Sequence, residues 1–158
     1  AAAAADGMLL LAGDADGGAA EACAANLHRL ATGLDLPRPL PLQVTRGDFA
    51  AVWPAWEAVA AAQGARLALL SNLPYGRRAE AASLPRLLRR FHAWLAARGP
   101  AAAFVLDGSS RLFDAEAARA GTRWRPLAQF SNGGLPVRLL QRLPSQPGPG
   151  TPGRAAAE

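Results

Sequence analysis

No lysine and no isoleucine occurs in this chain, and it holds one cysteine, one methionine, one tyrosine and two histidines. Each scarcity excludes something. The single cysteine, Cys23, rules out an internal disulfide and a zinc knuckle. It lies in an alanine-rich helical stretch and reads as a small core residue. His28 and His92 stand far apart and form neither a metal pair nor an evident general base. No metal is therefore expected. No apolar run reaches the roughly 20 residues that a membrane-spanning helix needs, and Ala1–Ala5 has neither the charged start nor the apolar core of a secretory signal. The expectation is no membrane partner and a cytoplasmic location.

Without lysine, all 17 basic residues are arginine. Alongside the alanine, glycine and proline richness, this points to a GC-biased genome, and codon drift explains part of the arginine excess. The net charge of +5 still suits a nucleic-acid partner better than an acidic one. The 158 residues are enough for one domain with a real core, although much of the 51% apolar content is alanine, which buries little area. The chain opens on alanine rather than methionine, which suggests a fragment.

Strand and helix signals alternate along the chain. Met8–Ala12 is an apolar run stopped by the acidic loop from Gly13 to Gly18. Ala19 to Leu30 has helical spacing, Leu34–Pro41 is a proline-rich connector, and Leu42–Thr45 is a short strand leading to Arg46-Gly47-Asp48. Phe49 to Gln63 is helical in part, interrupted at Pro54 and stopped by Gly64. Arg66–Leu70 is the next strand. Ser83 can cap a helix from Leu84 with Pro85 in its first turn. Leu84, Leu87, Leu88, Phe91 and Leu95 form its apolar face, with Arg86, Arg89, Arg90 and Arg98 opposite. Ala101–Leu106 is a buried strand and Ser109 to Ala120 a short helix. Arg123–Ser131 and Leu135–Leu143 are strands about the turn Asn132-Gly133-Gly134. From Pro144 the composition offers nothing to bury, so residues 144–158 read as a disordered tail. The pattern is that of an α/β sheet, parallel with an antiparallel C-terminal hairpin.

The densest chemistry follows the third strand, in Ser71-Asn72-Leu73-Pro74-Tyr75-Gly76-Arg77-Arg78. In an open α/β sheet, ligands bind where strands end at their carboxyl edge. The Asn72 side-chain oxygen and the Leu73 carbonyl can each accept one N–H of an exocyclic amine, leaving the nitrogen lone pair free. Pro74 holds Leu73 extended and donates nothing. Tyr75 offers a flat face to an unstacked base. Taken alone, the tetrapeptide reads more simply as a strand followed by a Pro-Tyr-Gly turn. Likewise Asp14 and Asp48 are residue types common in turns. The tryptophans at 53, 56, 94 and 124 read as packing residues.

Three strand ends carry, in order, Gly13-Asp14-Ala15-Asp16, Gly47-Asp48 and Asn72-Leu73-Pro74-Tyr75-Gly76, and the chain closes with Phe130-Ser131-Asn132-Gly133-Gly134-Leu135. This combination resembles the catalytic domain of the THUMP-associated RNA guanine-N2 methyltransferases, from about Leu9 to Leu143. The resemblance implies a Rossmann-like class I methyltransferase sheet that uses S-adenosylmethionine. It implies that Asp14 binds the cofactor ribose with Asp16 beside it. It implies that Asp48 accepts from the adenine amine with Phe49 packing nearby, and that Asn72, Leu73, Pro74 and Tyr75 hold the target guanine. Arg77 and Arg78 are then placed to meet RNA phosphates. Leu73 and Gly133-Gly134-Leu135 lean toward the eukaryotic tRNA members and Asn72 toward the bacterial ribosomal RNA members, so tRNA is the preferred substrate. Some relatives also need a small zinc-binding activator protein. The resemblance further implies a first strand and a glycine-rich loop before Met8, and neither is in the sequence. The expected unit is thus a partial domain over residues 1–143, N-terminally incomplete, whose activity belongs to a longer parent. The rival readings are an adenine-N6 or other amino-methyltransferase, and a non-catalytic remnant or interaction module.

Overall fold

The computed structural model describes residues 10–33, 42–74, 83–98, 100, 102–109 and 111–144. The connector at 34–41 and the tail beyond Pro144 lie outside the described residues. Ten elements follow in the order β1 (Leu10–Asp14), α1 (Gly17–Gly33), β2 (Leu42–Arg46), α2 (Phe49–Ala62), β3 (Ala68–Asn72), α3 (Leu84–Arg98), β4 (Ala102–Asp107), α4 (Arg111–Arg119), β5 (Trp124–Asn132) and β6 (Leu135–Arg142). They divide into two units, Ala1–Leu67 and Ala68–Glu158.

In the first unit β1 and β2 pair in parallel, Leu10 opposite Leu42 and Asp14 opposite Arg46. Parallel neighbours need a crossover, and α1 supplies it. Asp16 caps α1: its Oδ1 accepts from Ala19 N at 2.8 Å and its carbonyl from Ala20 N at 3.0 Å. Helix α2 runs unbroken through Pro54, which corrects the expected interruption. An interior proline costs about 3 kcal/mol through its missing N–H and its clash with the preceding turn. Val52 and Trp53 before it, and Trp56 and Ala60 after it, are all buried, and that apolar area offsets the cost. Asp48 starts the helix, with Oδ1 accepting from Ala50 N at 3.0 Å, and Gly64 at φ 62° follows its end. Trp53 and Trp56 pack edge to face with centroids 6.3 Å apart. Trp56 also lies across the end of β1. A Cβ on Gly13 would stand 3.2 Å from its ring and 2.7 Å from the Thr45 carbonyl oxygen, so the strand is narrow there by necessity.

In the second unit the sheet order is β3-β4-β6-β5. β3 and β4 are parallel, returned by α3; β6 runs antiparallel to both β4 and β5. The expected strand Arg66–Leu70 is displaced toward the C-terminus. Pairing with β4 draws Ser71 and Asn72 into the ladder, with Asn72 opposite Leu106. The sheet expected as one is two hydrogen-bonded sheets. Among the described residues β1 pairs only with β2, and β3 only with β4. Leu70, on β3, is 74% exposed. The hairpin β5–β6 turns on Gly133 and Gly134, both at positive φ, as the Asn-Gly-Gly sequence leads one to expect. A register shift falls between Pro126 and Ala128 of β5. Among the described residues no helix is long and apolar enough to cross a membrane.

The second core joins Leu88, Phe91 and Leu95 of α3, Ala103 and Val105 of β4, Phe113 of α4, and Val137 and Leu140 of β6. His92 is fully buried within it. Its ring meets Phe113 edge to face at 4.6 Å, and Trp124 at 5.9 Å. His92 Nδ1 lies 3.0 Å from Thr122 Oγ1. That hydroxyl gives its proton to the Ala117 carbonyl and receives one from Trp124 Nε1. A lone pair remains for a proton on His92 Nδ1, so the geometry favours the Nδ1–H tautomer. His92 Nε2 has no hydrogen-bond partner among the described residues.

Burial lowers the His92 pKa from 6.5 to about 4, against the opposing pull of Glu116 and Asp107. The unfolded chain therefore binds the proton more readily than the folded one. The contribution is fully present above pH 6.5 and is lost as pH falls from 6.5 toward 4; a difference of that size is worth about 3 kcal/mol. Denaturant melts between pH 7 and pH 4 are expected to show this loss, and His92→Phe is expected to flatten it. An unchanged slope in that variant would assign the acid sensitivity to other groups.

Candidate functional site

The carboxyl ends of the parallel strands carry the residues singled out in the sequence. In the first unit these are Asp14, Asp16, Asp48 and Phe49. Asp14 closes β1 and is exposed; its Oδ1 accepts from Asp16 N at 2.9 Å, and its other oxygen takes no hydrogen bond among the described residues. The Asp14 carbonyl accepts from Gly47 N at 2.8 Å, which ties the loop after β2 to the end of β1. Asp14 and Asp48 are thereby held at adjacent strand ends. Two of these carboxylates have a structural task of their own. Asp16 caps α1 and Asp48 caps α2, each through Oδ1. Phe49 is the first residue of α2 and is half-buried.

Arg46 went unassigned in the sequence and belongs to the same edge. It pairs in register with Asp14, and its guanidinium lies over the start of α1, where a Cβ on Gly17 would come within 3.1 Å of Arg46 Cζ. The local signal was the run Arg46-Gly47-Asp48 at a strand end. The edge so formed offers carboxylate acceptors beside one guanidinium, a set suited to hydroxyl and amine donors on a bound molecule.

In the second unit Asn72 is the last residue of β3 and is exposed. Leu73 follows with its side chain buried, and its amide donates to the Leu106 carbonyl at 3.3 Å. Pro74 comes next, exposed. Tyr75, Arg77 and Arg78 lie outside the described residues.

Beside this motif stands a group that sequence reasoning treated only as the close of a strand. Asp107 ends β4 and is 1% exposed. Its Oδ1 accepts from Ser109 N at 2.9 Å and Ser109 Oγ at 2.5 Å, and its Oδ2 from Arg138 Nη2 at 2.7 Å. Arg138, opposite Asp107 on β6, also grips Asp114 of α4 through Nη1 at 3.1 Å and Nη2 at 3.0 Å. Burial disfavours the Arg138 charge, but the hydrogen bonds to Asp114 and Asp107 outweigh it and raise the pKa above its ordinary value. The available signal was an Asp-Gly pair at a third strand end; its partner, 31 residues away, left none. Of the arginines on α3, Arg89 is engaged with the buried Glu116, which Arg119 also holds. Among the described residues no three His, Cys, Asp or Glu side chains gather as metal ligands.

No family model and no curated protein matches the sequence. Among solved structures, the chain is similar to SMU.472, a candidate methyltransferase determined in complex with SAH. The TM-score is 0.51 at 19% identity, over 84% of this chain and 30% of that one. The chain thus spans less than a third of that protein's length. The likeness concerns architecture: this chain has the α/β, Rossmann-like fold of a class I methyltransferase.

Proposed function

We propose that this chain takes part in S-adenosylmethionine-dependent methyl transfer to the N2 amine of guanosine in RNA, with tRNA as the first candidate. One observation carries the reading. Asn72 stands exposed at the carboxyl end of a parallel strand, and the next residue, Leu73, is anchored by its amide to the neighbouring strand. Two acceptors, the Asn72 amide oxygen and the Leu73 carbonyl, are then adjacent in the chain, and the residue that carries the second is tied to the sheet by its amide. The likeness in fold to a candidate methyltransferase bound to SAH supports the same reading.

An exocyclic amine of a nucleobase is a weak nucleophile because its lone pair is delocalised into the ring. Asn72 Oδ1 and Leu73 O each accept one N–H, which favours a pyramidal nitrogen and directs the lone pair outward. That stabilisation grows toward the transition state. Asp14 fits a ribose: it is exposed and keeps one carboxylate oxygen for a hydroxyl. Asp48 and Phe49 would meet the adenine. When bound, S-adenosylmethionine supplies a methyl group on a positively charged sulfur. Tyr75 would stack on the base, and Arg77 and Arg78 would meet phosphates.

The direct test incubates the chain with tRNA and methyl-labelled S-adenosylmethionine and analyses the nucleosides. N2-methylguanosine is expected. N6-methyladenosine would move the reading to adenine, and no methylated nucleoside would favour a non-catalytic module. Asn72→Ala is expected to lower transfer about 10²-fold or more, the usual cost of a lost transition-state contact, with cofactor affinity unchanged. In titration calorimetry Asp14→Ala is expected to abolish cofactor binding; unaltered binding would remove Asp14 from the site.

A further inference from the structure

The ion pair between Asp107 and Arg138 is poorly explained as a device for stability. Asp107 is buried and the Arg138 side chain is half-buried; taking a charge out of water costs several kcal/mol, and an apolar pair of similar volume often does as well. Its geometry suggests another task. Asp107 is the last residue of β4, directly after Leu106, whose carbonyl receives the Leu73 amide. One guanidinium, that of Arg138, holds Asp107 at the end of β4 and Asp114 in the first turn of α4. The connection leaving β4 is thus clamped at both ends. Within it the Asp107 carboxylate also takes both donors of Ser109. Because β3 and β4 are parallel, this connection emerges at the same sheet edge as Asn72 and Leu73.

We propose that Asp107 and Arg138 are positioning residues, whose cross-strand pair fixes the end of β4 and so fixes where Leu73, hung from it, presents its carbonyl. The placement of Leu73 stands on the geometry alone; the consequence for methyl transfer rests on the function proposed above. Neither residue touches the reacting amine. Their effect passes through the Leu106 carbonyl and the Leu73 amide.

The test is amide hydrogen exchange at Leu73, read against Leu95 in the core of α3. In Asp107→Asn the ion pair is lost while an oxygen remains for Ser109. Exchange at Leu73 is expected to accelerate about tenfold relative to Leu95, as local opening does when it is separate from global unfolding. Arg138→Lys keeps the charge but loses the two-pronged grip, and an intermediate acceleration is expected; it also carries the test if Asp107→Asn does not fold. Acceleration of both amides together, or of neither, would make the pair a plain structural contact and overturn the proposal. In the transfer assay, Asp107→Asn is expected to lower kcat by up to about 10²-fold, the scale of an ångström-sized misplacement, with KM for the cofactor unchanged. If the unsubstituted chain transfers no methyl group, the function proposed above fails, while the exchange ratio still decides the role of the pair.

Discussion

Parallel strands cannot be joined by a tight turn, and nearly everything else in this chain depends on that restriction. β1 returns to β2 through α1, and β3 to β4 through α3, so each pair delivers its loops to one edge. Within the first unit this sets Asp14 beside Arg46 and next to the loop of Asp48. Within the second it sets the motif after β3 beside the end of β4. Chemistry gathers at these edges because a strand end frees backbone groups while the sheet behind holds them still.

Much of this was legible in the sequence, and the reasons are local. Short apolar runs broken by Gly-Asp or stopped by a proline, as at Pro74, mark strand ends because glycine-aspartate favours a turn and proline has no N–H for the ladder. Asn132-Gly133-Gly134 marks a hairpin because its turn needs positive φ. What escaped was set by partners distant in the chain. Pro54 breaks a helix by propensity, yet tryptophans on both sides of it bury enough area to carry α2 through. The strand β3 is extended to Asn72 by β4, some thirty residues later. Arg138 sits in a strand whose sequence gives no sign that it faces Asp107. The insertion of β6 between β4 and β5 likewise follows from tertiary pairing alone.

The aspartates at the strand ends show why a residue type underdetermines its role. Asp16 and Asp48 cap helices, Asp107 holds an arginine, and Asp14 accepts from the Asp16 amide through one oxygen. All four stand where a strand has ended, and a carboxylate accepts equally from a backbone amide, a guanidinium or a sugar hydroxyl. Their hydrogen-bond partners and exposure differ, and neither can be read from spacing. His92 is the same lesson in a core: a titratable ring kept neutral by burial and positioned by one threonine.

The two outer strands of the second unit differ in how they meet a newcomer. β5 carries a proline without an N–H and a break in register one step later, so an incoming strand finds its donors interrupted and its partner bent. β3 has neither proline nor bulge nor charge along Ala68–Asn72, and Leu70 stands open to water. Extension of this sheet is therefore directional. Within this unit an added strand meets a regular ladder at β3 and an interrupted one at β5.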